Sequence, residues 1–523
     1  MSAIHDNINP AQKSLLSLES FLRGSGFVVL GMGAKICLVF VAELLAARIL
    51  LPERYGLITW ALFLVNILCM FTGLGLSTAA RRFIPIFQSR GETGAVRGTV
   101  ILSGAIGFVG GVVGGLSLFF GSEWLAETVL GDPREKAVLM AFVFALPLWN
   151  VLKSMLAVMG GFSLPRYKVL IEDLLVPFGF LLVILLAWWA GWQETQIAYG
   201  YVLVYFVGAV LSILVVWKKT PYRQVEHIAP DYRTRELLRF SWPLIFTEPV
   251  GKCTGIIDVL ILGMLSTPYS VGLYRTVSDM AVMISLVLLC FGFMYFPMAA
   301  KLAEGRDFHQ WNDVNARVAR WSMLLSFPLF STLFFFPNEA ILFLYGQEYV
   351  AGAPILRILA VAYFGHTMVG FTAVNLIAAG MTRIQFLIHL TAFAMNILGN
   401  ILLIPSYGVK GAAYASLLSL WSLNIASILV MKWKLNLQPF TRLYVFGMLS
   451  LLLSAYGGSL LLHAFDPIYG LFSIIVFLLY CFMLMMLFSW SGFLIDETDR
   501  VLIRSVSKRL VESLRPKQAL QDV

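Results

Sequence analysis

Ionisable side chains recur where the sequence is otherwise too apolar to hold them. Glu248, Lys252, Asp258, Arg275 and Asp279 stand within one apolar stretch, and Lys35, Glu43 and Arg48 within another near the start. Glu248 and Lys252 are four residues apart, as are Arg275 and Asp279. That spacing puts two side chains on one helical face. Charges at membrane depth are costly, so they turn towards a protein-lined or hydrated cavity. The cations Lys35, Lys252, Arg275 and Arg357 suit a phosphate-bearing substrate, with the guanidinium offering a planar fork and the ammonium a point charge. The carboxylates Glu43, Glu248, Asp258 and Asp279 suit a coupling cation, H⁺ or Na⁺, because proton or Na⁺ binding relieves the cost of a lone buried charge. A structural reading stands beside these: Lys35 with Glu43, Glu248 with Lys252 and Arg275 with Asp279 form internal ion pairs that only hold helices together. Arg48 suits snorkelling at a helix end. Arg357 opens its helix from the outer side and fits either role. Glu172 and Asp173, at the cytoplasmic end of a span, read as solvated.

The sequence lacks other chemistry. There is no Gly-x-x-x-x-Gly-Lys-Ser/Thr phosphate loop, no His-Glu-x-x-His, no Cys-x-x-Cys and no nucleophile elbow, so neither ATP hydrolysis nor a familiar enzyme class is expected. No cofactor is expected beyond the coupling ion. The five cysteines, Cys37, Cys69, Cys253, Cys290 and Cys481, lie inside apolar runs with no metal or disulfide spacing. His366 and His389 stand alone in spans and read as hydrogen-bonded buried histidines.

The elements that must position these charges are membrane helices. Of 523 residues 59% are hydrophobic and 13% charged, and the mean hydropathy is +0.83, a balance that excludes a soluble domain. The chain reads as an all-α polytopic membrane protein with fourteen spans: 25–50, 56–79, 98–120, 137–159, 169–190, 195–217, 239–265, 272–297, 318–337, 352–379, 384–404, 410–431, 442–463 and 468–491. Placing the N-terminus in the cytoplasm leaves 29 of the 38 basic residues, Lys153 among them, in cytoplasmic segments and four outside. That asymmetry puts both termini on the cytoplasmic side of the cytoplasmic (inner) membrane. The net charge of +9 then belongs to membrane edges facing lipid, and nucleic acid is not an expected partner. The third span carries Gly104, Gly107, Gly110, Gly111, Gly114 and Gly115, a stripe suited to close helix packing. Pro243 and Pro249 bracket Glu248 and suit a bent seventh span.

The two charged stretches are related. Residues 238–279 lie without a gap on 22–63 at an offset of 216. Leu22, Arg23, Ser25, Cys37, Leu44, Pro52, Gly56 and Leu57 match Leu238, Arg239, Ser241, Cys253, Leu260, Pro268, Gly272 and Leu273. Lys35 and Lys252 fall one position apart under this alignment. Two half-transporters in a parallel repeat follow, each opening with a charged helix. The expected organisation is an N-terminal lobe over 1–217, a cytoplasmic linker over 218–237, a C-terminal lobe over 238–431, and two further spans with a basic tail over 432–523.

These residues also carry a resemblance. A Leu-x-x-x-x-x-Pro-Leu pattern precedes Ile257-Asp258-Val259-Leu260-Ile261-Leu262-Gly263 and Val271-Gly272-Leu273-Tyr274. Further on stand Leu344-Tyr345-Gly346-Gln347-Glu348-Tyr349, Ala378-Ala379-Gly380 and Ile404-Pro405-Ser406-Tyr407-Gly408-Val409-Lys410-Gly411-Ala412-Ala413. With Leu51-Pro52-Glu53-Arg54-Tyr55-Gly56-Leu57 in the first half, the chain resembles the polysaccharide-exporter branch of the multidrug/oligosaccharidyl-lipid/polysaccharide flippase superfamily. The resemblance implies two six-helix lobes around a V-shaped cavity lined by helices 1, 2, 7 and 8. It also implies alternating access for a lipid-pyrophosphate-linked oligosaccharide, and two C-terminal helices like those that form a lipid groove in lipid II flippases. Membrane lipids, a polysaccharide polymerase and assembly proteins are the implied partners. Only Asp258 matches the family pattern residue for residue. Alternative readings are a cation-coupled drug exporter, whose cavity would be acidic and aromatic, a lipid II flippase, and a membrane glycan polymerase or ligase, which would need a large outer loop.

Overall fold

A computed structural model describes residues 10–220, 228–242, 245, 254–305, 307–465 and 470–490. Helix is the only regular structure among them. This is what an apolar chain in a bilayer requires, since each backbone donor and acceptor must then be satisfied within its own segment. Among the described residues ten helices are long and apolar enough to cross a membrane, and they fall on spans three to six and eight to thirteen of the sequence reading. The first two spans fall on helix α1 (Pro10–Thr72) and its bent continuation α2 (Leu76–Ser89). The seventh and fourteenth fall on the shorter apolar helices Gly255–Leu265 and Ile474–Leu487. Pro243, Pro249 and the bend expected between them lie outside the described residues.

Helix α1 is broken at Leu51, which adopts φ 63° and ψ 167°. The following Pro52 explains the break, because its ring excludes the preceding residue from helical geometry while suiting the first position of the next helix. A positive φ at leucine is strained and must be held by the packing on either side.

The chain forms two compact units. The first is drawn from Met1–Thr276, Tyr345–Ala351 and Phe393–Ser416. Its glycine stripe packs as the sequence suggests. On α3 (Thr93–Trp124), a Cβ on Gly111 would lie 2.3 Å from Pro147 Cα, and one on Gly110 would lie 2.1 Å from Thr72 O. So α3 lies directly against α1 and the Arg134–Gly161 span, made of α4 (Arg134–Phe142) and α5 (Ala145–Gly161). The next span begins with α6 (Pro165–Lys168), passes through a π-helical turn at Val169–Leu175, and continues as α7 (Val176–Ala190). Helix α8 (Glu194–Lys219) completes the group.

The described end of the linker is strapped to this unit. Asp231 N–H donates to Gly94 O at 2.9 Å, and Arg97 donates to Ile228 O. The short helix α9 (Thr234–Ser241) docks on α2, with the Arg82 guanidinium 4.5 Å from the Phe240 ring.

Within the same unit, motif residues find structural reasons. Gly408 takes φ 57° and Gly411 lies against Leu403 O, so the Ile404–Ala413 motif is a tight turn between two spans. Gly263 lies against the Trp60 ring, whose Nε1 donates to Leu260 O at 3.2 Å. Tyr349 donates its hydroxyl to Ala47 O at 2.8 Å.

The second unit is drawn from Val277–Leu344, Gly352–Ala392 and Leu417–Val523. One core cluster within it surrounds a buried polar knot. Asn375 Oδ1 accepts from Tyr295 OH at 2.7 Å and Trp311 Nε1 at 3.1 Å, while its Nδ2 donates to Asn315 Oδ1 at 2.7 Å.

Candidate functional site

A cavity of about 380 Å³ opens inside the first unit. Three cations, Lys35, Lys153 and Arg275, line it together with two carboxylates, Glu43 and Glu172. The break at Leu51 ends the helix that carries Lys35 and Glu43, and Arg275 enters on the helix Pro268–Val282. The π-helical turn that carries Glu172 and Asp173 widens one helical turn by a residue, a distortion often found at functional sites.

The charges are arranged in two groups. Lys35 Nζ lies 3.0 Å from Asp173 Oδ1 and 3.8 Å from Glu172 Oε1. Glu172 also meets Lys153 at 3.1 Å and Lys168 at 3.5 Å. Arg275 Nη2 donates to Glu43 Oε1 at 2.8 Å, and its guanidinium sits 4.9 Å from the Phe63 ring centroid. Pairing therefore runs between helices: Lys35 turns to the fifth span and Glu43 to Arg275, not to each other as the structural reading had it. The side chains of Glu172 and Asp173 are only 18% and 8% exposed, so they are not solvated as the sequence suggested. Lys153, counted from the sequence among the cytoplasmic basic residues, lines the cavity.

An aromatic wall completes the lining. Trp149 stacks on Tyr205 with centroids 4.6 Å apart, and Phe180 meets Tyr201 at 4.6 Å. The volume is in the range of small-ligand sites, and a few polar groups in a mostly apolar lining give such a site its orientation and specificity.

Asp258 sits elsewhere in the same unit, 2% exposed. Its Oδ1 accepts from Asn400 Nδ2 at 2.7 Å, and its Oδ2 accepts from Tyr274 OH at 2.9 Å and from Ser416 Oγ. Asn396, one turn before Asn400, is fully buried, and neither its amide oxygen nor that of Asn400 has a hydrogen-bond partner among the described residues. Here the Ile257–Gly263 motif brings a carboxylate against two hydroxyls and a side-chain amide.

Glu248 and Lys252 lie outside the described residues. Asp279 is half-buried in the second unit, and Arg357, also there, is exposed with its Nε donating to Phe334 O at 3.1 Å. Neither lines the cavity of the first unit. His366 is hydrogen-bonded, its Nδ1 3.0 Å from Asn424 Oδ1. Sequence reasoning missed Tyr201, Tyr205 and Lys153. Only Lys153 offered a signal, as a lysine inside an apolar run four residues after Trp149.

A family profile described as polysaccharide biosynthesis protein matches residues 21–303. An uncharacterized membrane protein of Methanocaldococcus jannaschii is 24% identical over 443 residues, covering 80% of this chain and 84% of that one. The probable low-salt glycan biosynthesis flippase Agl15 of Haloferax volcanii is 26% identical over 194 residues, covering 36% of this chain and 40% of that one. Among solved structures, the lipid II flippase MurJ in an inward closed conformation superposes with a TM-score of 0.67 at 14% identity, over 89% of this chain and 99% of that one. At that identity the likeness shows a shared fold.

Proposed function

The chain is a multi-pass membrane protein that belongs to the polysaccharide biosynthesis protein family, within the multidrug/oligosaccharidyl-lipid/polysaccharide flippase superfamily, and from that premise we propose that it flips a lipid-pyrophosphate-linked oligosaccharide across the cytoplasmic membrane. The mechanism is alternating access between two six-helix lobes, with both termini in the cytoplasm and no ATP hydrolysis by this chain. The carrying observation is the cavity lined by Lys35, Lys153 and Arg275 beside Glu43 and Glu172. Each cation already faces a carboxylate, so an incoming pyrophosphate exchanges one anion for another and leaves no cation stranded. Such exchange permits tight recognition and ready release. Tyr201, Tyr205 and Trp149 give sugar rings apolar faces and hydroxyls to meet, while the lipid tail stays in the bilayer. An exporter of cationic drugs would not want three cations in its cavity.

Asp258 is the coupling group in this reading. A buried carboxylate that meets the Ser416 and Tyr274 hydroxyls and the Asn400 amide is suited to taking up a proton, or a hard cation such as Na⁺ once those groups turn their oxygens to it. The function is tested by complementing glycan export in a strain deleted for this protein, with surface expression checked. The Lys35/Lys153/Arg275 triple alanine variant is expected at the membrane but inactive. Normal export by that variant would remove the phosphate role of the cavity.

A further inference from the structure

Glu135, the second residue of α4, is fully buried, and neither of its carboxyl oxygens has a hydrogen-bond partner among the described residues. The charges around it come from every element packed on α4. Arg134, the first residue of α4, donates from its Nη2 to Asp132 Oδ2 on the preceding loop at 2.7 Å and also to Glu53 of α1. Across from it, Arg54 Nε of α1 stands 2.9 Å from Glu194 Oε1 of α8. At the end of α3, Glu123 is held by Lys136 at 3.2 Å, and Glu127 follows on the π-helical turn Leu125–Leu130. The remaining neighbour, α5, brings only Lys153, which is engaged with Glu172. Each of these cations is thus already engaged with another carboxylate, and Glu194 and Asp132 add negative charge nearby. A carboxylate buried without a donor is costly enough that such a group takes up a proton instead.

We propose that Glu135 is a proton-binding site separate from Asp258, occupied while the Arg134 and Arg54 ion pairs cover it. When those pairs part, water reaches the carboxyl, the proton leaves to that water, and a freed arginine neutralises the carboxylate left behind. The layer that must part includes Glu53 and Arg54, which directly follow the strained Leu51–Pro52 break. Movement of the helix carrying Lys35 and Glu43 is thereby tied to the cover over Glu135. This second step rests on the transport reading above, and the proton occupancy does not.

Infrared spectroscopy of the full chain in lipid nanodiscs reads the occupancy. At pH 7 the wild type should show a carboxylic-acid carbonyl band that Glu135→Gln removes and Glu135→Asp moves. Should Glu135→Gln fail to fold, the Asp variant alone decides, because it keeps the acid. Spectra of folded variants that superpose on the wild type mean an ionised Glu135 and overturn the proposal. Flipping in proteoliposomes, measured against the pH on the side that Glu135 faces, reads the release. Glu135→Gln should flatten that dependence, and a wild-type profile overturns the release step. The infrared arm needs no substrate, so a wrong substrate assignment leaves its result standing.

Discussion

Gly56 and Gly272 pack against each other's helices at the same point of the internal repeat. A Cβ on Gly56 would lie 1.9 Å from Pro268 O, and a Cβ on Gly272 would lie 1.9 Å from Pro52 O. Pro52 and Gly56 are related to Pro268 and Gly272 by the offset of 216 residues. The two Pro-x-x-x-Gly segments therefore meet reciprocally, each carbonyl occupying the space that a side chain would need on the other. The repeat is physical as well as textual: two equivalent turns cross, and only glycine lets them.

Alanine at either glycine should destabilise the protein. Overpacking costs about 1–3 kcal/mol, sometimes more, and here backbone atoms on both sides leave little to yield. Thermal unfolding of the purified protein should place Gly56→Ala and Gly272→Ala well below the wild type, with Gly33→Ala unchanged, since nothing lies within 4 Å of a Cβ there. Equal midpoints for all three would mean that the two segments do not cross in contact.

Much of this architecture was readable from the sequence because a bilayer leaves few choices. Apolar runs of the needed length must be helices, and Pro52 announces the break at Leu51. Lys35, Glu43, Asp258 and Arg275 stood out because ionisable residues are rare in such runs. Their partners were not readable, since Lys35 reaches Asp173 across 138 residues and Arg275 reaches Glu43 across 232. Glu172 and Asp173 read as solvated from their place at a span end alone, and the lysines of other helices that cover them, Lys35 and Lys153, are not visible from that place. Lys153 was counted only as a basic residue of a cytoplasmic segment, a count that says nothing of the cavity it lines.

Removing the carbonyl that organises the second unit's polar knot should be costly. Asn375→Ala strands Trp311 Nε1 and leaves Tyr295 OH and Asn315 Oδ1 only their long 3.4 Å bond to each other. Buried groups left without partners cost about 1–3 kcal/mol each. The expected result is poor folding at growth temperature, read by size-exclusion chromatography from membranes. Asn375→Asp should also fail, because it replaces a donor with an acceptor facing Asn315 Oδ1.

Asp132 lies outside the membrane-spanning helices, and its carboxyl is held below the usual carboxylate range, chiefly by its hydrogen bond from Arg134. A depressed folded-state value means the contribution is fully present above the unfolded value of about 3.9 and is lost as pH falls through the folded one. Asp132→Asn should therefore lower the unfolding midpoint at pH 7 and have little effect once the wild-type carboxyl is protonated in strong acid. A deficit that persists unchanged in acid would point to packing rather than charge.

Asp258→Asn keeps the shape of a buried group while removing its charge. Flipping should slow and lose its dependence on the ion gradient, and substrate affinity should lose the ~5–150-fold response to the ion expected for coupled sites. Ser416→Ala and Asn400→Ala, which remove donors to the same carboxylate, should shift the ion concentration needed for half-maximal rate. An unchanged gradient response in all three would separate Asp258 from coupling.

The central claim, that the cavity cations of the first unit hold the pyrophosphate of a lipid-linked glycan, is tested most directly by flipping of a fluorescent lipid-pyrophosphate oligosaccharide in proteoliposomes containing only this protein, without ATP. Wild-type protein should move it, single alanine variants at Lys35, Lys153 or Arg275 should each slow it, and charge reversal to glutamate should slow it further. A charge-assisted contact is worth about 1.5–3 kcal/mol, so each alanine should cost roughly ten- to a hundredfold in apparent affinity. Transport that needs ATP, or that proceeds at the wild-type rate in the triple alanine variant, would contradict the account.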